Sequence, residues 1–179
     1  MLKAEVGLLI ERYRLYERQM EQLEGRMVAA LDGLPESGSL LSIPMVAPVS
    51  AAAFLGAIGD PQAYESSRQI LRLAGLTLTE HSSGVHKGQP HISKRGRPGL
   101  RAMAYMLAVR GLSKNGGIFR KEFDALMARN GAKPHKALVA IARRALRIMF
   151  AVARDRRPWT PVPPARPEAL AQSAADANV

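Results

Sequence analysis

Near the start of the chain apolar side chains recur at alternating spacings of four and three: Leu2, Val6, Leu9, Tyr13, Tyr16, Met20, Leu23, Met27 and Ala30. That is a heptad repeat held over four heptads and flanked by Glu11, Arg12, Glu17, Arg18, Glu21 and Glu24. It predicts a coiled-coil helix over residues 1–33. Leu8, Ile10, Leu15 and Val28 fall off the seam, so packing of this helix on its own domain is the other reading. Gly33, Pro35 and Gly38 end the pattern and separate it from the rest of the chain.

A helical domain is expected over residues 40–157. In its first part, 40–76, Leu40-Leu41-Ser42-Ile43-Pro44 leads into a turn, and residues 50–58 form an Ala-rich helix. Gly59-Asp60-Pro61 breaks that helix, with Asp60 able to cap the next element, and a short helix over 66–74 closes at Gly75. Helix, tight turn, helix with small residues at the crossing is a helix-hairpin-helix-like pattern, whose turn can offer backbone N–H groups to a phosphate. Small residues also suit any close helix pair. Residues 77–98 are rich in Gly, Pro and Ser, which predicts a polar loop in which only 77–79 could be a strand.

Three helices are expected over 99–157. Leu100, Met103, Ala104, Leu107 and Ala108 make the apolar face of the first. Phe119, Phe123, Leu126 and Met127 make that of the second, which Asn130-Gly131 stops. The third starts near Pro134 and turns Leu138, Ile141, Ala142, Ala145, Ile148, Met149 and Val152 inward. Lys136, Arg143, Arg147 and Arg154 then share its opposite face. The Pro-rich and Ala/Ser/Asp-rich segment 158–179 reads as a disordered tail. The fold class is all-α.

Charge sharpens this picture. The chain carries 26 Lys and Arg against 15 Asp and Glu, a net +11 over 179 residues. Between residues 87 and 157 there are 18 basic residues and 3 acidic ones, whereas the remainder is net negative. Such a block suits a polyanion, nucleic acid before anionic lipid. With one Trp, four Tyr and four Phe, a broad aromatic platform for stacking bases is not expected. The lack of Cys removes disulfides, thiolate zinc sites and cysteine nucleophiles, and fits a reducing, cytoplasmic compartment. Residues 37–59 are uncharged and long enough to span a bilayer. Pro44, Pro48 and three glycines make them two short buried helices around a turn instead, and no membrane association is expected.

The chemistry is bounded by scarce carboxylates, which leave no convincing two-metal nuclease site. His81, His86 and His91 are spaced five and five, without the carboxylate or thiolate that would complete a zinc set. No metal site is expected. The 77–98 loop holds Ser82-Ser83-Gly84 beside Lys87, Lys94, Arg95, Arg97 and Arg101. A serine hydroxyl can attack a phosphodiester without a metal if several guanidinium groups stabilise the transition state. A Ser-Gly pair is also an ordinary turn.

The order of Ser42-Ile43-Pro44-Met45-Val46-Ala47-Pro48, Ile58-Gly59-Asp60, Gly75-Leu76-Thr77, His81-Ser82-Ser83-Gly84 and Ile92-Ser93-Lys94-Arg95-Gly96 resembles the C-terminal domain of the IS one-ten family of insertion-sequence transposases. RNA-bridge-guided serine recombinases are among that family. The resemblance covers about residues 40–159, and the preceding helix is similar to the coiled coil that joins this domain to an N-terminal one. It implies that Ser83, with Ser82 as the adjacent alternative, attacks a DNA phosphate and holds the strand as a phosphoserine ester. Lys87, Lys94, Arg95, Arg97, Arg101, Arg143 and Arg147 are the DNA-binding candidates, chosen by charge and place in the sequence. The implied partners are DNA, a guide RNA, and a second copy of the chain through the N-terminal helix.

Family members begin with a RuvC-like domain carrying an Asp-Glu-Asp-Asp magnesium site, which the single helix before Leu40 does not supply. The chain is therefore expected to be the C-terminal part of a transposase, from a truncated reading frame or a longer protein. Magnesium is expected only in the other domain, and no cofactor in this chain. An alternative is a catalytically silent DNA- or RNA-binding module that dimerises and competes with intact transposase. The family turn reads Ile-Pro-Gly-x-Gly, and here Met45 and Ala47 replace the glycines; both tolerate positive φ poorly.

Overall fold

The computed structural model describes residues 2–79, 82–83, 86–87, 91–113, 117–129, 131 and 133–161. Its helices are α1 (Leu2–Asp32), α2 (Ser37–Leu41), α3 (Pro48–Ile58), α4 (Ser67–Leu73), α5 (Pro98–Arg110), α6 (Arg120–Arg129) and α7 (Pro134–Asp155). A 3-10 turn over Pro61–Ala63 precedes α4. Four strands of two residues each, β1 (Leu78–Thr79), β2 (Ser82–Ser83), β3 (His86–Lys87) and β4 (His91–Ile92), complete the described elements. The fold is all-α, as its periodicities predict. No described helix is long and apolar enough to cross a membrane.

α1 is a stem. At 1.5 Å per residue its 31 residues extend roughly 45 Å. Residues 3–26 are all exposed, the seam positions Leu9 (62%) and Met20 (60%) included. Only the last turns reach the domain: Met27 and Val28 are half-buried, Leu31 is fully buried, and this end packs on α3. The alternative of a helix packed along its own domain therefore does not hold for most of its length.

The uncharged stretch folds as two short helices around a turn. Ser50 sits one turn into α3, where its Oγ accepts the Ala47 N–H and donates to the Ala47 carbonyl, both at 2.9 Å. Pro48 supplies the fixed φ that suits a first helical position. Neither Met45 nor Ala47 takes a positive φ, and Met45 and Val46 are buried. The Ala47 N–H that this turn could turn toward a phosphate is thus held by Ser50, and the Val46 N–H bonds the Ile43 carbonyl at 2.9 Å. Nor do α3 and α4 form a close pair: α3 lies on α1 and α5, while α4 lies on α7. Asp60 caps as expected, its Oδ1 accepting the Gln62 N–H at 2.9 Å.

The core forms where α7 meets α2, α4, α5 and α6. α7 buries Ala137, Ile141, Ala142, Ala145, Leu146, Met149, Phe150, Val152 and Ala153, a face matching its 3.6-residue period. Leu107 and Ile70 are buried on α5 and α4, which pack on this helix, and Phe54 from α3 and Phe119 from the turn before α6 belong to the same buried cluster. Tyr64 sets its ring edge-on to Phe150 at 6.4 Å. The chain stays attached beyond α7: Trp159 is half-buried against the core, and its N–H bonds Ser42 Oγ at 2.7 Å. The remainder of the expected tail, residues 162–179, lies outside the described residues.

Glu36, between α1 and α2, is buried (5% exposed) and meets the Arg156 guanidinium through two nitrogens at 2.9 and 3.0 Å. Arg156 is in the left-handed region at φ 50°, just past α7. One ion pair spanning 120 residues thus ties the end of α7 to the root of the stem. Its partners are unequal, since Glu36 is dehydrated and Arg156 is half exposed. Arg156→Ala leaves a buried carboxylate without a counter-charge and should lower stability by about 2 kcal/mol. Glu36→Gln frees only a guanidinium that water can reach, so its loss should be smaller. Urea unfolding of both variants checks the order; equal losses would mean that the buried carboxylate carries no special penalty.

Candidate nucleic-acid interface

Residues 77–98 do not form an irregular loop throughout, which corrects the expectation that only 77–79 could be extended. β1 pairs antiparallel with β4 (Leu78 opposite Ile92, Thr79 opposite His91), and β2 with β3 (Ser82 opposite Lys87, Ser83 opposite His86). Both ladders are antiparallel and nested in sequence, so the described strands pair as a hairpin does. Ladders of two residues are too short for an alternating pattern to register in sequence.

The base of the hairpin is tightly fixed. α4 ends at Gly75 (φ 67°), with the Leu76 N–H bonding the Leu71 carbonyl at 2.8 Å, a glycine C-cap as the sequence predicts. The returning strand bonds the departing one: Ser93 N–H to Thr77 carbonyl at 2.8 Å, and Lys94 N–H to Gly75 carbonyl at 2.9 Å. The Arg97 N–H then reaches the Leu73 carbonyl at 2.7 Å. From the first turn of α5, the Arg101 guanidinium bridges both sides, donating to the carbonyls of Ala74 (3.1 Å) and Lys94 (3.2 Å). Arg97 likewise donates to the Ala57 carbonyl near the end of α3.

The structure thus brings Lys94, Arg95, Arg97 and Arg101 together where the hairpin leaves the core. Lys94 (φ 54°) and Arg95 are exposed, whereas Arg97 and Arg101 spend donors on backbone carbonyls and also shape the hairpin. A guanidinium has five N–H donors, so both retain some for a phosphate. Ser82, Ser83, His86 and Lys87 are placed by their backbone pairing, and their side chains lie outside the described residues, as does His81 altogether. Thr79 Oγ1 lies 3.4 Å from His91 Nε2.

Arg143 and Arg147 sit apart from that group, on the outer face of α7. Arg147 is exposed. Arg143 is half-buried, and its Nε has no hydrogen-bond partner. Burial first, and the neighbouring Arg147 charge second, lower its pKa from the usual arginine value. It remains a cation at neutral pH. Arg72 is a residue that sequence patterning alone does not single out. With Arg95 and Arg97 it lines a groove between α4 and the start of α5, floored by Leu73 and Tyr64 and lined by no carboxylate. Its place one turn after Arg68 on α4 was the available signal.

Among the described residues no group of three or more His, Asp or Glu could hold a metal ion. These residues therefore do not supply the magnesium site that the resemblance assigns to the N-terminal domain.

Residues 38–124 match the model of the IS116/IS110/IS902 transposase family. That stretch of the chain belongs to this family. The transposase segment contains α2 to α5, the hairpin and the start of α6. An insertion element IS116 protein of Streptomyces clavuligerus is 30% identical over 123 residues, 69% of this chain and 30% of that relative. A pilin gene-inverting protein of Moraxella bovis is 29% identical over 155 residues, 83% of this chain and 48% of its own. An insertion element IS110 protein of Streptomyces coelicolor is 29% identical over 137 residues, covering 76% and 33%. The chain spans about a third to a half of the length of these relatives.

The hairpin base leaves no room for side chains at its glycines. A Cβ on Gly75 would stand 2.8 Å from the Lys94 carbonyl carbon and 2.9 Å from Arg101 Nη1, and one on Gly96 would run into the Leu73 carbonyl. Gly75→Ala should therefore cost about 2 kcal/mol in urea unfolding, from φ strain and displacement of Arg101. Gly56→Ala, at an exposed helical position with nothing within 4 Å, should be neutral or stabilise by up to about 1 kcal/mol. A Gly75→Ala protein as stable as the unaltered chain would show that the base is not rigid.

Proposed function

We propose that this chain is the DNA-binding part of a transposase that cuts and rejoins DNA through Ser83, acting in the cytoplasm with DNA, a guide RNA and a second copy of itself. The observation that carries the reading is the placement of Ser82-Ser83 on a hairpin whose base gathers Lys94, Arg95, Arg97 and Arg101 within the family-matched segment. Relatives named for insertion elements and for pilin gene inversion support a role in DNA rearrangement.

In this reading Ser83 Oγ bonds to the phosphorus of a DNA phosphodiester as one bond from phosphorus to a sugar oxygen breaks. The leaving sugar oxygen takes up the proton that serine loses. The phosphoserine ester keeps the bond energy, so a sugar hydroxyl can reverse the step and rejoin a strand. Arg95 and Lys94 contribute positive charge where the phosphate gains negative charge, and Arg97 and Arg101 hold the hairpin in place. A serine hydroxyl is a weak nucleophile near neutral pH until it is activated, so the chain alone should not cleave. The exposed seam of α1 favours pairing of two chains, and with it the second reading, a silent module that competes with intact transposase.

Supplied with a RuvC-like domain of the family, guide RNA and magnesium, the chain should form a covalent protein–DNA adduct visible as a shifted band on a denaturing gel. Ser83→Ala should abolish the adduct and keep DNA affinity within about twofold, since one hydroxyl adds little to a charge-dominated interface. Ser82→Ala should be milder. Cleavage by the chain alone would overturn the incomplete-enzyme reading. An adduct that survives Ser83→Ala but not Ser82→Ala would move the nucleophile by one residue.

The pairing has its own measurement. Lys in place of Leu9 and Leu23 puts charge into the seam and should convert a dimer to a monomer in sedimentation at micromolar concentration. An unaltered chain that is already monomeric there would refute pairing through α1.

A further inference from the structure

The aromatic count argues against a broad stacking surface, yet the fold brings two rings together between α5 and α7. Tyr105, midway along α5, and His135, in the first turn of α7, lie with ring centroids 6.0 Å apart and planes within 16° of parallel. Tyr105 is half-buried and forms the lower layer. His135 is exposed, so one ring of the stack faces water.

The surroundings are cationic. Arg101 acts electrostatically on Tyr105 from one turn earlier on α5, and the same guanidinium bridges the hairpin base. Lys133 and Lys136 flank His135 in sequence and are exposed. The sequence has no acidic residue between Glu80 and Glu122, nor between Asp124 and Asp155, so both helices of the stack are free of carboxylates up to the end of α7. Burial raises the Tyr105 pKa above its ordinary value, with Arg101 opposing, which keeps the phenol neutral and its ring uncharged.

We propose that the His135–Tyr105 stack is a platform for one unpaired DNA base, a proposal that rests on the DNA-binding reading above. Stacking on a ring face requires a base whose own face is free, and a base inside a duplex has none. The cations around the stack hold the backbone of the strand that carries this base, while the ring selects for its unpaired state. Arg101 joins the two sites physically: it bridges the hairpin base and stands beside Tyr105. A strand opened next to the serine hairpin would thus be caught by its base as well as by its phosphates.

The test compares a blunt duplex with the same duplex bearing a short single-stranded overhang, using the full chain and fluorescence anisotropy over a range of salt. A 2-aminopurine in the overhang reports stacking directly. The unaltered chain should prefer the overhang substrate and alter the 2-aminopurine signal. His135→Ala should lose about tenfold in overhang affinity, the size of one base–aromatic stack, and keep its blunt-duplex affinity and salt slope within about twofold. His135→Trp and Tyr105→Phe keep the rings and should retain the preference. Equal losses on both substrates, or an overhang affinity indifferent to His135→Ala, would overturn the platform while leaving DNA binding intact. Failure of the unaltered chain to bind either substrate, with no salt dependence, would overturn the DNA-binding reading and the platform with it.

Discussion

Everything in the domain depends on burial of one face of α7. Nine of its side chains are buried, and α2, α4, α5 and α6 take their places by covering them. At roughly 25 cal/mol per Å² of apolar surface, closing that face is a large favourable term in the fold. The same helix must keep Lys136, Arg143, Arg147 and Arg154 on its other side, because a buried unpaired guanidinium is too costly. One amphipathic helix therefore fixes both the core and the orientation of a basic surface. Arg143 marks the boundary between the two demands: its stem is covered, its Nε lacks a partner and its neighbour is another cation.

The excess of positive charge is not spread evenly over what a polyanion could use. The three carboxylates of the basic block are each matched, Asp124 by Arg120, Glu122 by Arg144 and Asp155 by Arg154. Arg156 is held by Glu36, and Arg97 and Arg101 are engaged with backbone carbonyls. The exposed pairs of Asp124, Glu122 and Asp155 contribute little to stability, unlike the buried Glu36 contact, but all of them direct where positive potential remains. Exposed cations outside those contacts include Lys94 and Arg95 on the hairpin base, Arg72 across the groove, Arg147 on α7, and Lys121, Arg129 and Lys133 on α6 and at the start of α7. Counting charges along the chain does not show which cations are engaged within the fold and which are left exposed.

Helix ends were legible because their signals are local. Asp60 caps the turn before α4, Gly75 closes α4, and Pro134 opens α7. The inward faces of α5 and α7 followed from spacing alone. The hairpin was not legible, since two-residue ladders have no periodicity and their hydrogen bonds are made by the backbone. Nor could spacing show that Arg101 and Arg97 would be drawn to carbonyls of Ala74 and Ala57, or that Glu36 would meet Arg156. Those partners come together only once α7 has gathered its neighbours. Of the candidate site, the residue types and the cluster at 94–101 were readable; which cations build the site and which are left to act in it was not.

The stem raises a different constraint. A helix is costly to start and in proteins draws most of its stability from packing one face. α1 has two glycines, Gly7 and Gly25, each worth about 1 kcal/mol against alanine, and among the described residues its tertiary anchorage is at its last turns. Its i, i+4 pairs Glu17 with Glu21 and Arg14 with Arg18 set like beside like, while the i, i+3 pairs Glu11–Arg14, Arg14–Glu17 and Arg18–Glu21 each return only about 0.2–0.5 kcal/mol. Propensity alone is a weak basis for a helix of this length whose apolar seam faces water. Covering Leu9, Met20 and Leu23 would return about 1.5–3 kcal/mol for each side chain fully buried, enough to outweigh both glycines. A partner surface laid along the four-three seam would relieve this cost, which is the physical ground for the pairing proposed above.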